Sequence, residues 1–442
     1  MTMDDNKLTF EKITADLTHH IRINKGFVIW MGFLTVSLLA CLFAYSLQLR
    51  TGLGVAGIRD YVTWGLYLSN FVFFVAASLI GMLVSAVLGL IGMKWITPIT
   101  RIAETIAVAF AAVAGLVIVS DMGRPERLAY VFIYGRPQSP ILWDVTVIVT
   151  YFVLSLMLLY LPLIADMAII HNSKVAIPSW LRSIYKRFSL NFTDSPEQNR
   201  IINRSIRVLL ILLVPAALSI HTVTSWLFAV TSRAGWDSSI FGPYFVSGAF
   251  VAGSAAVIIA MFFFRKNYKL ENYLTDLHFN NMGKVLATVS LVYLYFNINE
   301  YLVPGYKLKR ADAVHLQELL AGRDALLFWM VQIGGLVIPI LFLLFRRFRK
   351  PVPVLVISIA VLIAAWFKRY LIVIPTQEHP FLPIQHVPQN FVHYSPTLIE
   401  SMITIAPFIL VLIIITLISK FFPVIPLHET AVEKGAEHIR FE

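Results

Sequence analysis

Ten stretches of the chain are each long and apolar enough to cross the hydrocarbon core of a bilayer, and nothing else in the sequence constrains the fold as strongly. A helix needs about 20 mostly apolar residues for that crossing. The stretches are roughly 27–47, 62–91, 97–120, 141–165, 206–232, 244–264, 285–303, 325–345, 353–374 and 397–419. In hydrocarbon a backbone must satisfy its own hydrogen bonds, so the expectation is an all-α polytopic membrane protein with about ten transmembrane helices. Composition closes off the alternative. With 58% hydrophobic and 14% charged residues, the chain departs from a soluble domain, at about 45–50% and about 25%, in both respects.

The net charge of +11 could signal a polyanion partner, but its distribution speaks for topology. Both termini and every second loop together hold 23 of the 36 Lys and Arg residues; the opposite loops hold ten. Cationic loops stay in the cytoplasm. Both termini are therefore expected there, and a nucleic-acid partner is not. The chain divides into an N-terminal segment 1–26, a membrane domain 27–419 and a tail 420–442. Within the first segment Phe10, Ile13, Leu17 and Ile21 recur at helical spacing. That spacing suits an amphipathic helix on the membrane surface, and a mobile polar tail is the competing reading. Pro304 and Pro375 are expected to end the seventh and ninth spans, while Pro162, Pro215, Pro339 and Pro407 mark kinks.

Ionisable groups inside apolar spans are costly and face a bundle interior or a wet cavity, so each is a candidate for function. Arg101 and Glu104 lie three residues apart on one face of the third span, where they can pair. Asp121 ends the same helix about 25 Å away. One helix thus carries acids near both faces, as a proton route requires. Asp166, His171, Glu300, Lys368, Arg369 and Glu400 complete the candidates for such a route. Snorkelling to the nearest interface is the competing reading for Lys368 and Arg369.

His221 is the only histidine well inside a span, in PAALSIHTVTSWLFA, with Thr222, Ser225 and Trp226 close by on the helix. It is either a proton-accepting ligand contact or a satisfied core residue. Opposite the termini, the segment SDMGRPERLAYVFIYGRPQSPILWD gathers Asp121, Arg124 and Asp144 around two Gly-Arg-Pro triplets. RAGWDSSIFGPYF adds Trp236 and Asp237. An arginine beside a carboxylate favours the ionised acid and fixes its geometry; a salt-bridged surface loop competes with that reading. Cys41 is the single cysteine. It cannot by itself supply the thiolates of an iron–sulfur cluster or zinc site, and one deep histidine cannot supply both axial ligands of a b-type haem. No metal centre held by this chain is expected.

In series, SDMGRPERLAYVF, GRPQSPILWD, SIHTVTSWLFA, GWDSSIFGPYFVSGA and FNINEYLVPGYK make the chain resemble the polysulfide-reductase membrane-subunit family, of NrfD/PsrC type, from about the second span to the tenth. Ten spans resemble its longer branch, which includes the quinol-oxidising subunits of alternative complex III and the membrane subunit of the complex serving dissimilatory sulfite reduction. The resemblance implies four-helix bundles flanked by peripheral helices, in a prokaryotic cytoplasmic membrane. It implies no redox centre of the chain's own, and a site for quinone or quinol, menaquinone among them, towards the outer face. Its implied partners are a ferredoxin-like iron–sulfur subunit on the outer side and, in the wider complex, a multihaem cytochrome c, a second membrane subunit or a cytoplasmic redox subunit.

Carried over by motif, Asp121, Arg124, Asp144, His221, Trp236 and Asp237 make up the implied quinol site, with Trp226, Tyr130 and Phe132 to flank the ring. Lys368 stands where the family pattern often has a glutamate. On this reading the subunit does not turn over alone, and proton translocation through Glu104 is a further expectation. Two other classes compete with it. A secondary transporter would couple ions through the intramembrane acids, and a structural anchor would leave His221 and the acidic loop without a role.

Overall fold

The computed structural model describes residues 3–21, 23–173, 175, 177–231, 233–380, 385–388 and 391–434, so the end of the expected tail, 435–442, lies outside the described residues. A first helix, α1 (Met3–Thr18), is followed by α2 (Lys25–Thr51), α3 (Leu66–Ser78), α4 (Thr97–Asp121), a short α5 (Tyr130–Ile133), α6 (Pro140–Asn172), α7 (Ser179–Phe188) and α8 (Pro196–Ala229). Then come α9 (Phe241–Asn267), α10 (Asp276–Lys307), α11 (Arg310–Leu320), α12 (Ala325–Trp329), α13 (Ile338–Leu344), α14 (Pro351–Glu378), α15 (Leu398–Phe421) and α16 (Leu427–Glu433). The π-helical segment Met82–Leu88 prolongs α3, and another, Met330–Val337, joins α12 to α13, so each forms one long span. The described residues contain no strand.

Local chemistry sets the helix ends. The side chains of Asn24, Ser195 and Thr397 accept hydrogen bonds from the backbone N–H groups of Phe27, Gln198 and Glu400, capping α2, α8 and α15. Thr275 and His278 cap α10 reciprocally. Pro304 and Pro375 do not end their helices as expected. α10 continues to Lys307 and α14 to Glu378, because proline forfeits its own N–H bond but leaves the turn that follows free to form.

Nine helices among the described residues are long and apolar enough to cross a membrane on their own. The seventh expected span, α10, is not one of them, since Asn297, Asn299 and Glu300 dilute its apolar content. It nevertheless runs antiparallel along the full length of α9. Asp276 pairs with Arg265 at one end, and Asn297 accepts from the Tyr244 hydroxyl near the other. Near the opposite end of the chain, α1 packs against α16, and His20 lies within hydrogen-bond distance of the Phe422 carbonyl at 3.3 Å. Two ends on one side require an even number of crossings, and α10 supplies the tenth. The face formed by Ile13 and Leu17 of α1 and Ile21 of the turn after it faces into the protein, in one apolar cluster with Val424, Ile425 and Leu427, rather than outward to lipid.

α3, α4, α6 and α8 form one four-helix bundle; α9, α10, α14 and the span containing α12 and α13 form a second beside it. α2 and α15 pack together at the periphery. Every residue of α3 is buried, as expected of a helix that is apolar all round and sits between bundles. Small residues let the helices approach. A Cβ added at Gly253 of α9 would lie 2.7 Å from the Ile80 Cβ, and one at Gly81 would lie 2.8 Å from the Ala107 Cβ. Close backbone approach of this kind replaces the hydrophobic effect as the adhesive between helices in lipid. Gly253→Leu is accordingly expected to abolish the monodisperse peak of detergent-solubilised protein on size exclusion. Gly32→Leu, where an added Cβ meets nothing within 4 Å, should leave that peak unchanged.

Candidate functional site

The expected site residues fall into four places. At the end of the bundle bearing α1 and α16, Arg101 does not pair with Glu104. It donates to Asp166 at 2.6 Å, both side chains being almost wholly enclosed. Asp166 also accepts the backbone N–H groups of Leu427 and His428, at 3.2 and 2.9 Å. Glu104 instead accepts from the Ser85 hydroxyl at 3.0 Å. A charge on a neighbouring helix, with two backbone donors to hold its oxygens, outcompetes a partner one turn along. His171 lies nearby, its carbonyl accepting from Arg182.

The acidic segment at the far end does not assemble as one ionic site. Arg124 is exposed, and no ion pair joins it to Asp121 or Asp144 among the described residues. Asp144 is buried and accepts from Thr224 of α8 at 2.6 Å. Asp121 faces the side of Glu400 and Tyr67. Glu400, fully buried, accepts the N–H groups of Gly57 at 2.7 Å and Leu66 at 3.1 Å, together with the Tyr394 hydroxyl. It therefore fastens the loop before α3 to the start of α15. Tyr130, Phe132 and Trp226 are exposed, so they do not flank an enclosed ring.

The tryptophan of the following loop is a structural post. Trp236 is buried, stacks on Trp64 at 5.6 Å between centroids, and donates its indole N–H to the Ile372 carbonyl at 2.7 Å. Asp237 beside it is exposed and close enough to Glu300 to act on its carboxylate. His221 is buried on α8, with Nε2 unpartnered among the described residues.

The fourth place is a small cavity among α9, α10, α11 and α14, lined by Tyr244, Glu300, Tyr301, Asp312, His315 and Thr376 among others. Glu300 Oε2 and His315 Nδ1 are both buried with no hydrogen-bond partner among the described residues. Lys368 donates to the Tyr301 hydroxyl on the same wall and lies 4.6 Å from that ring's centre. Burial holds the His315 imidazole neutral, lowering its pKa to about 4; burial raises that of Asp312. Gly235 touches the cavity because its φ of +83° and the lack of a side chain let the loop pass His315, whose Nε2 would lie 2.7 Å from a Cβ there.

Sequence reasoning placed Glu300 and Lys368 on a proton route and did not single out His315, Tyr244 or Tyr301. The signal for His315 was available: with Leu316 and Leu319 it makes an apolar face on α11, a helix in a segment too short and polar to cross the membrane. Among the described residues no cluster of three or more His, Cys, Asp or Glu side chains is arranged to hold a metal ion.

Known proteins place these features in a family. The model of "Polysulphide reductase, NrfD" matches residues 54–380. A Halobacterium salinarum protein, named provisionally as a membrane subunit of dimethyl sulfoxide reductase, is 28% identical over 330 residues, 73% of this chain and 70% of its own length. A selenate reductase subunit of Mesobacillus selenatarsenatis is 24% identical, covering 89% of this chain and 93% of its own length. The Hdr-like menaquinol oxidoreductase integral membrane subunit of Archaeoglobus fulgidus is also 24% identical, covering 89% and 92%. With its all-helical, multi-pass membrane architecture and a family match over most of its length, the chain belongs to the NrfD polysulphide reductase family.

Proposed function

We propose that this chain is the quinol-binding membrane subunit of a multi-subunit oxidoreductase, and that the ring binds in the cavity between α9, α10, α11 and α14. The observation that carries this reading is the pair of buried, unpartnered polar atoms on that cavity wall, Glu300 Oε2 and His315 Nδ1. Mostly apolar cavities with a few convergent polar groups are the usual form of a small-molecule site, and a buried polar atom left unpaired costs about 1–3 kcal/mol until a ligand satisfies it. A quinol presents two hydroxyls. Its oxidation breaks two O–H bonds and releases two protons and two electrons. Glu300 accepts one proton; His315 holds the second hydroxyl, whose proton passes to Asp312 on the same wall; and Tyr244 and Tyr301 line the wall beside them. Asp237, near Glu300 and exposed, gives the proton its way out.

The electrons leave for a partner iron–sulfur subunit docked at this end, because one cysteine cannot ligate a cluster. The relative named as the integral membrane subunit of a menaquinol oxidoreductase supports menaquinol as the donor class. The end holding α1, α16 and the cationic loops lies in the cytoplasm, and the cavity opens towards the outer face of the cytoplasmic membrane. Leu316→Trp, which fills the cavity without touching Glu300, tests the reading. In an assembled complex it should raise the KM for quinol, or lower kcat/KM, by at least tenfold. Wild-type kinetics in that variant would overturn the site, and the absence of any quinone bound to the wild-type complex would favour a structural anchor.

A further inference from the structure

Behind one wall of this cavity lies a second small one, bordered by α9, α10, α14 and the π-helical segment Met330–Val337. The two share a partition. Tyr244, on the wall of the first cavity, stacks on Tyr293, on the wall of the second, at 5.2 Å between centroids. Lys368 lines the second cavity and donates to Tyr301 in the first. Their hydrogen-bonding characters are opposed. The first presents a carboxylate oxygen and an imidazole nitrogen, whereas the second presents donors.

Arg369 lines the second cavity at 5% exposure. Its one hydrogen bond among the described residues runs from Nη1 to its own helix, at the Ala365 carbonyl, 3.2 Å away, and no carboxylate pairs with it there. A guanidinium has five N–H donors. Gln332, at 8% exposure on the facing π-helical segment, spends its carbonyl oxygen on Asn297 and leaves Nε2 buried without a partner. Two sets of unspent donors therefore line one space within a membrane bundle, where buried polar and charged groups are rare and mark functional sites. The rest of the lining is apolar, with Val251, Val331, Leu336 and Val361. A hydrated anion would find no shell there; a flat apolar ring bearing carbonyl acceptors would find both its requirements met.

We propose that this second cavity is a separate site for the oxidised ring, a quinone whose carbonyls accept from Arg369 and Gln332. The inference rests on the quinol reading of the first cavity and adds a second ring-binding site to it. A hydroxyl donor suits the acceptors of the first cavity, and the dicarbonyl product suits the donors of the second. The exposed Met330 and Ile333, on the segment that carries Gln332, place lipid one helix wall away.

The test is a binding stoichiometry. The whole complex, stripped of endogenous quinone and placed in lipid nanodiscs, is titrated by equilibrium dialysis with a short-chain naphthoquinone. Two equivalents are expected in the wild type. Gln332→Leu, which keeps the side chain's bulk, should leave one, and so should Val251→Phe, which fills the second cavity. Leu316→Trp should remove the other equivalent. One equivalent in the wild type, lost only in Leu316→Trp, would overturn the second site and leave the first standing. Two equivalents untouched by both Gln332→Leu and Val251→Phe would also overturn it. No binding at all would bring down the quinol reading itself.

Discussion

Replacing Glu300 by glutamine should lower kcat for quinol-dependent electron transfer by about 10²–10⁴-fold, the span associated with loss of a positioned general base, while the complex assembles normally. Glutamine keeps the shape and one carbonyl acceptor, so the ring can still be held. What it removes is the ability to take a proton when the O–H bond breaks. A purely structural role predicts the reverse, lower assembly with an unchanged rate per assembled complex. Two measurements separate the cases: turnover per assembled complex, and the KM for quinol, expected to change less than kcat. His315→Gln makes a useful companion. Because burial keeps His315 neutral down to about pH 4, it positions a hydroxyl rather than carrying a proton away. Its loss should fall mainly on KM, and the pH profile of turnover should stay unchanged between pH 5 and 8.

Asp166→Ala should cost about 3–5 kcal/mol of stability, the usual cost of breaking a buried ion pair from one side. Arg101 would lose its only direct ion pair among the described residues, with Glu104 and Glu429 as the remaining carboxylates near it; its Nε and Nη2 are already unpartnered among the described residues. The same substitution frees the N–H groups of Leu427 and His428 at the start of α16, so proteolysis near residue 427 should accelerate along with the fall in denaturation midpoint. Replacing both partners by apolar residues, Arg101→Met with Asp166→Leu, should recover most of the loss, because the pair's desolvation penalty offsets much of its attraction. If the double variant is as unstable as the single one, the backbone contacts of Asp166 and not its charge hold the end together.

The span positions were legible because apolar runs of the required length are a local property, and the helix ends shift from the expected boundaries by up to about three turns, most at the starts of α8 and α10. α10 shows both the strength and the cost of that method. Its apolar run was found, yet the residues that depress its hydropathy, Asn297 and Glu300, are the ones that build the cavity wall and the partition behind it. Pairings were less legible, since charge partners are chosen in three dimensions. Arg101 and Glu104 share a helix face, but Arg101 reaches 65 residues along the chain to Asp166. Asp121, Arg124 and Asp144 crowd one stretch of sequence, and the fold disperses them: α4 and α6 pack on each other, but Asp121 faces the side of Tyr67 and Glu400, Asp144 bonds Thr224 of α8, and Arg124 is left exposed. His315 was missed for the opposite reason. It sits in a connection between spans, where a lone histidine carries no periodic signal, and only the fold brings it across from Glu300.

The clasp between α1 and α16 also has a consequence for biogenesis. α1 packs on α16, with Ile13, Leu17 and Leu427 in one buried apolar cluster, and Asp16 has its hydroxyl partner in Tyr273. At translation rates of about 5–20 residues per second, some 20–80 s pass between the emergence of α1 from the ribosome and that of the segment it packs on. Throughout that interval the first helix lacks its seat on α16. Its docking is therefore a closing event that follows insertion of the last span, and a label on α1 would report when the chain is complete.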